Sequence, residues 1–154
     1  MAMVGSRHET RLLIPGLAGF YASWGELTFT LLRVVIGALL FLHGWTKVTG
    51  GGLTGVGGYM AKIGLVPGPA FAIAAMFFET VGALCLVVGL FTRFFAAALA
   101  IEMAVALVVV HLSHGWDVTK GGYEYVLVLG LVLLVIAMRG GGPYSVDARL
   151  GKEL

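Results

Sequence analysis

Apolar residues gather in four long runs, at 27–48, 70–90, 94–112 and 122–138. An α-helix crosses a hydrocarbon core about 30 Å thick with roughly 20 residues, and each run is close to that length. Glycine-rich or short polar links separate them. The link GGGLTGVGGYMAKIGLVPGP after the first run is expected to be a flexible loop, with a short amphipathic piece at 59–65 lying on the membrane. LFTRF, between the second and third runs, is expected to be a tight turn. The pattern therefore predicts an all-α, transmembrane four-helix bundle.

Ahead of the first run, LLIPGLAGFYASWGE is broken by Pro15 and three glycines. Phe20, Tyr21 and Trp24 cluster there as an interfacial aromatic belt does. This start does not fit a cleavable signal peptide, which has a charged beginning, a short apolar centre and a small-residue cleavage site. An N-terminal interfacial arm over 1–25 is expected, then a membrane domain over 26–140 and a cytoplasmic C-terminal tail over 141–154. A surface-lying anchor and a partner-docking arm are both open to the first segment.

Composition sharpens this reading. The 154 residues are 59% hydrophobic and 12% charged, whereas a soluble domain carries about 25% charged residues. The spans and their links use nearly the whole chain, which leaves no room for a separate soluble catalytic domain. A net charge of +2 is too small to suggest nucleic acid. Arg7, Arg11, Arg93, Arg139, Arg149 and Lys152 lie in the N-terminal segment, the second link and the C-terminal tail, against Lys47, Lys62 and Lys120 in the first and third links. The positive-inside rule then places both termini in the cytoplasm, in a multi-pass protein of the inner membrane. The single cysteine, Cys85, falls within a span, so no intrachain disulfide is possible.

Three ionisable residues interrupt the apolar runs: Arg33, Glu79 and Glu102. A charge at a helix centre costs roughly 2.5–3.5 kcal/mol on insertion scales, so such residues normally face the bundle interior and pair there. Their stripes are rich in small residues: Gly37 and Gly44 near Arg33, Ala75, Gly82, Ala83 and Gly89 near Glu79, and Ala98 and Ala106 near Glu102. Small residues mark faces where membrane helices approach closely. Counted at 1.5 Å per residue, all three charges fall about 10–14 Å inside the membrane. They are expected to form one buried cluster, with Arg33 paired to Glu79 or Glu102. One guanidinium then faces two carboxylates, and one proton is expected to be shared across the carboxylate pair. Such a cluster either pins the bundle or handles a proton.

A second polar set lies nearer the opposite side of the membrane: His43 and Lys47 at the end of the first run, His111 and His114 at the end of the third, and Glu124 at the start of the fourth. His111 follows Glu102 by nine residues, about 180° around a straight helix, so the two do not aim at one point. His43, Lys47, Glu124 and His111 are the candidate cofactor-binding set. No spacing specific to metal ligands occurs, and no cysteine pair, flavin motif or haem attachment site is present.

Several of these segments together resemble the DoxX family. They are RVVIGALLFLHGWTKV, GPAFAIAAMFFETVGALCLVVGLFTR, EMAVALVVVHL and GGYEYVLVLGLVLL, covering roughly 27–147. The arginine and HG..K of the first run, the E..G and GL.TR of the second, the glutamate of the third and the GG.E of the fourth occur in the expected order. Carried over by position, the resemblance singles out Arg33, His43, Lys47, Glu79, Glu102, Gly122 and Glu124. It implies a four-helix membrane protein linked to thiosulfate:quinone oxidoreductase and terminal quinol oxidase systems, or accompanying other redox or stress-defence partners. It thereby implies a quinone, with no covalently held cofactor. Two roles are open on this basis: a quinone-linked redox subunit, and an accessory subunit without chemistry of its own packed against a larger membrane complex. A small transporter using the buried carboxylates is a weaker third.

Overall fold

The computed structural model describes residues 12–153, whose regular elements are all helical, with no strand among them. A 3₁₀ turn, Pro15–Leu17, leads directly into α1, Ala18–Gly50. Proline suits a first turn because its fixed φ is helical and its missing N–H has no partner there anyway. α1 has 33 residues and is roughly 50 Å long, more than the hydrocarbon core requires. The arm expected up to residue 25 is thus not separate over its last part. After Pro15 nothing in AGFYASWGE removes a backbone donor, so helix propagates from Ala18 straight into the span. Phe20, Tyr21 and Trp24 are exposed on these first turns, with ring pairs at 5.6 and 5.9 Å. Residues 1–11 of the expected arm lie outside the described residues.

The glycine-rich link folds as α2, Gly52–Lys62, earlier and longer than the expected piece at 59–65. Glycine is a poor helix former, but here it is required by packing. A Cβ on Gly57 would meet the backbone of Pro69 at 3.3 Å, and one on Gly68 would strike the Gly57 carbonyl. Close backbone approach between α2 and the next helix offsets the weak propensity.

The second apolar run is one 21-residue helical stretch, Gly68–Val88. It comprises α3 (Gly68–Phe77), a π turn (Phe78–Gly82) and α4 (Ala83–Val88). It stops at Gly89, whose φ of +74° supplies the left-handed C-cap that glycine adopts without a Cβ penalty. The expected tight turn follows. The third run, Thr92–His114, contains α5 (Thr92–Ala106), a second π turn (Leu107–His111) and a 3₁₀ turn (Leu112–His114). With Pro15–Gly50, three helices are long and apolar enough to cross a membrane. The fourth run forms α6, Glu124–Arg139, which packs along α5. At 16 residues α6 is about 24 Å long, short of a full span by itself. A short α7, Val146–Leu150, ends the described chain.

The core joins α1, α4, α5 and α6 through Leu40, Leu86, Leu99, Leu133 and Ile136, all essentially buried. The small-residue stripes near Arg33 and Glu79 are buried as the sequence suggested, whereas Ala98 and Ala106 near Glu102 are half-buried. A Cβ on Gly37 would meet the Ala83 carbonyl at 2.8 Å, and one on Gly44 would meet Glu79 at 2.6 Å. These two glycines let α1 lie directly against the second span. One end of the bundle carries the start of α1, the α4–α5 turn, the end of α6 and α7; we call it the terminal end. The other, the loop end, carries α2 and the α5–α6 link.

Candidate functional site

The geometry centres on Glu79. It sits in the π turn of the second span, with its side chain only 2% exposed. A π turn inserts an extra residue into the helical ladder and is frequent at functional sites. Here it presents Glu79 to α1 across the bare backbone of Gly44. One turn further along α1, Lys47 reaches inward and places Nζ 2.6 Å from Glu79 Oε1. Glu102 on α5 brings its carboxyl close to Glu79 and near Lys47. The Oε2 atoms of Glu79 and Glu102 are both buried, and neither has a hydrogen-bond partner among the described residues. One ammonium thus contacts Glu79 and lies near Glu102, and one oxygen of each carboxyl is buried without a hydrogen-bond partner.

Arg33 is not part of this cluster. Its guanidinium is 1% exposed and donates to the carbonyls of Leu86, Val87 (2.9 Å) and Tyr144 (3.2 Å), near the carboxylate of Asp147. The expected pairing of Arg33 with Glu79 or Glu102 is thus corrected, and side-chain direction is the reason. In a helix, side chains lean toward the N-terminus. Along α1 that sends Arg33 toward the terminal end, where α4 exposes its last carbonyls. The same lean carries Lys47 from the loop end down toward Glu79. Counting residues gave the depth of each Cα but not the reach of each side chain.

The second polar set does not converge. Lys47 belongs to the buried cluster. His43 is exposed, and His111 Nδ1 lies 2.7 Å from the Gly121 carbonyl. Glu124 accepts from the backbone N–H of Val118 at 3.0 Å. The last two residues close the α5–α6 link onto itself, in a region where Gly122 has no room for a side chain. Among the described residues no group of three metal-binding side chains comes together.

Asp147 is the functional-looking residue that sequence reading did not single out. It is 1% exposed and accepts from Phe91 N (2.8 Å), Thr92 N (2.9 Å) and Thr92 Oγ1 (2.7 Å), while its own N–H donates to Gly89 O. It therefore caps the first turn of α5 from 55 residues away, placing a negative charge where the helix dipole favours one. Glu153 adds an ion pair to Arg93 at 2.6 Å, and Arg93 also donates to the last carbonyls of α6. The segment expected as a tail is docked against the bundle. The available signal was Asp147 beside the last span of an otherwise charge-poor chain, but local spacing does not reveal a partner this distant.

Comparison with known proteins places the chain in a family. The DoxX family model matches residues 28–112, a stretch that contains Arg33, His43, Lys47, Glu79, Glu102 and His111. An uncharacterised protein of Haemophilus influenzae is 31% identical over 126 residues, covering 79% of this chain and 90% of the relative. "Putative oxidoreductase CatD" of Bacillus subtilis is 30% identical over 122 residues, covering 79% of this chain and 86% of the relative. No solved structure matches the chain. With a family match over more than half its length and three helices able to cross a bilayer, the chain is a multi-pass membrane protein and belongs to the DoxX family.

Proposed function

We propose that this protein is the membrane subunit of a quinone-linked redox complex, and that Glu79 and Glu102 hold a proton for it under the charge of Lys47. The observation that carries the reading is the pair of buried oxygens without a hydrogen-bond partner, Glu79 Oε2 and Glu102 Oε2. Two buried carboxylates held side by side repel each other, and a proton shared across the pair relieves that repulsion. A buried group able to take up or give up a proton is a functional candidate. The relative named as an oxidoreductase supports the redox association.

A quinone supplies two-electron chemistry coupled to proton uptake, and its carbonyl oxygens accept hydrogen bonds. The residues suited to hold its head group are Lys47, which donates, and the Glu79–Glu102 pair, which holds the proton. The Lys47 side chain is 22% exposed, so it is not closed off from a neighbour. The chain's own part in this reading is to fix those three groups on α1, the π turn and α5, and to keep the proton away from bulk water. A partner protein brings the electrons.

In this reading both termini are cytoplasmic and the protein lies in the inner membrane, supported by the lysine and arginine asymmetry. α6 makes a fourth crossing, its short length met by local thinning of the bilayer and by snorkelling of Arg139 at its end. A purely accessory role is the second reading, favoured by the dispersal of His43, His111 and Glu124 into separate local contacts.

Glu79→Gln separates the two readings. Glutamine keeps the shape and can still accept from Lys47, but it does not titrate. The measurement is quinone-dependent electron transfer in membranes that carry the natural partner, with thermal stability of the purified variant alongside. Lost activity at unchanged stability supports the proton role. Unchanged activity with the partner still bound leaves the accessory role.

A further inference from the structure

The packing around the cluster is lopsided. Toward the terminal end lies a solid apolar layer of Leu40, Leu86, Leu99, Leu133 and Ile136, each at most 2% exposed. Gly37 there brings α1 onto the backbone of Ala83, and Asp147 then fastens the last segment over the α4–α5 turn. A close-packed interior of this kind leaves no space for a water chain. Toward the loop end the buried side chains of the second span beyond Glu79 are the small Ala72 and Ala75, while Met103 on α5 and Val126 and Leu129 on α6 are also buried. Met76, Ala106 and Leu107, one turn from the carboxyls, are only half-buried. Lys47 stands on that side, three residues from the end of α1, with its ammonium on Glu79 and its stem partly open.

We propose that the Glu79–Glu102 pair exchanges protons with water at the loop end alone, with Lys47 at the mouth of the route and the leucine layer closing the terminal end. Among the described residues, the other titratable side chains named near this end are engaged elsewhere or exposed: His43 is exposed, His111 is bonded to Gly121 O and Glu124 accepts from Val118 N. The proton leaves or reaches the pair past Lys47, and protons handled at this site belong to one side of the membrane. This rests on the reading of the pair as a proton site, but its test reads access and not activity, so the two fail separately.

The experiment uses the full chain in sealed vesicles, in a Cys85→Ala background, with a membrane-impermeant charged thiol reagent added to one side at a time. Val118→Cys reports the loop end and Leu150→Cys the terminal end, so the result does not depend on which end is cytoplasmic. Glu102→Cys is expected to react from the side on which Val118→Cys reacts and not from the other. Ala106→Cys, one turn nearer the loop end, leaves both carboxyls in place and is expected to behave the same way, which covers the case in which Glu102→Cys does not fold. Leu40→Cys is expected to react from neither side. Reaction of Glu102→Cys or Ala106→Cys from the Leu150→Cys side, or reaction of neither from the loop end, overturns the proposal.

Discussion

Lys47 Nζ and Glu79 Oε1 stand 2.6 Å apart, and that ion pair joins the end of α1 to the middle of the second span. It forms because two helices running in opposite directions lean their side chains toward each other. Lys47 leans back along α1 and Glu79 leans back along the second span, so both reach the level of Gly44. The glycine removes the only side chain that would separate them, and Glu102 completes the group from α5.

Removing the ammonium should therefore be worse than removing the ammonium and one carboxylate together. Lys47→Met leaves two buried carboxyls without a counter-charge, and breaking a buried pair costs roughly 3–5 kcal/mol. Lys47→Met combined with Glu79→Gln should recover much of that loss. Thermal unfolding of both variants in one detergent checks it. A double variant no more stable than Lys47→Met would mean that the contact carries little energy.

Gly44 is expected to be intolerant of even one methyl group. A Cβ there would lie 2.6–2.7 Å from Glu79 Cβ, C and O, and backbone cannot swing aside as a flexible side chain can. Gly44→Ala should destabilise by about 1–3 kcal/mol, as overpacking does. Gly25→Ala, on the same helix with nothing within 4 Å, should be neutral or stabilising by about 0.5–1 kcal/mol. Unfolding temperatures of the two single variants provide the comparison.

Much of the fold was legible because hydropathy and small residues act locally. Of the four apolar runs, three are membrane-length helices and the fourth is the shorter α6, and the stripes of Gly37, Gly44, Ala75, Gly82 and Ala83 are buried as their spacing implied. Glu79 and Glu102 stood out because a carboxylate inside an apolar run needs a partner. The partner itself was misread, because Arg33 and Lys47 differ in which way their side chains reach and sequence counting gives only Cα depth. The helix across the glycine-rich link was missed because glycine signals flexibility unless a second backbone lies against it, as Pro69 does against Gly57. Asp147 was missed because its contacts cross 55 residues and follow from the return of the chain.

That return is open to direct test. Asp147→Ala leaves Phe91 N, Thr92 N and Thr92 Oγ1 without their acceptor in a buried setting. Each orphaned buried group costs roughly 1–3 kcal/mol, so a large drop in unfolding temperature is expected. Asp147→Asn keeps one oxygen and should fall between wild type and Asp147→Ala. Hydrogen exchange at the Phe91 and Thr92 amides should quicken in the same order. Unchanged protection at those amides would mean that the last segment does not hold α5.

Arg33 should behave as a structural clamp independent of the Lys47 cluster. Its three carbonyl partners belong to the end of α4 and to the segment before α7, so it ties two parts of the chain to α1. Arg33→Leu fills the space but donates nothing, leaving the Leu86, Val87 and Tyr144 carbonyls short of a donor and Asp147 without the nearby cation. A loss of roughly 1–3 kcal/mol for each group left unsatisfied would unfold a marginal membrane protein. Arg33→Lys should recover only part of it, because a single ammonium on a shorter stem lacks the planar fork that spans separated acceptors. The decisive comparison is with Glu79. Were Arg33 the counter-charge of the carboxyl pair, Arg33→Leu combined with Glu79→Gln would be more stable than Arg33→Leu alone. In this structure the two sites share no contact, and effects at independent sites add. The double variant should then be destabilised by the sum of the two single changes, measured as unfolding temperature in the same detergent, and rescue of Arg33→Leu by Glu79→Gln would contradict the arrangement.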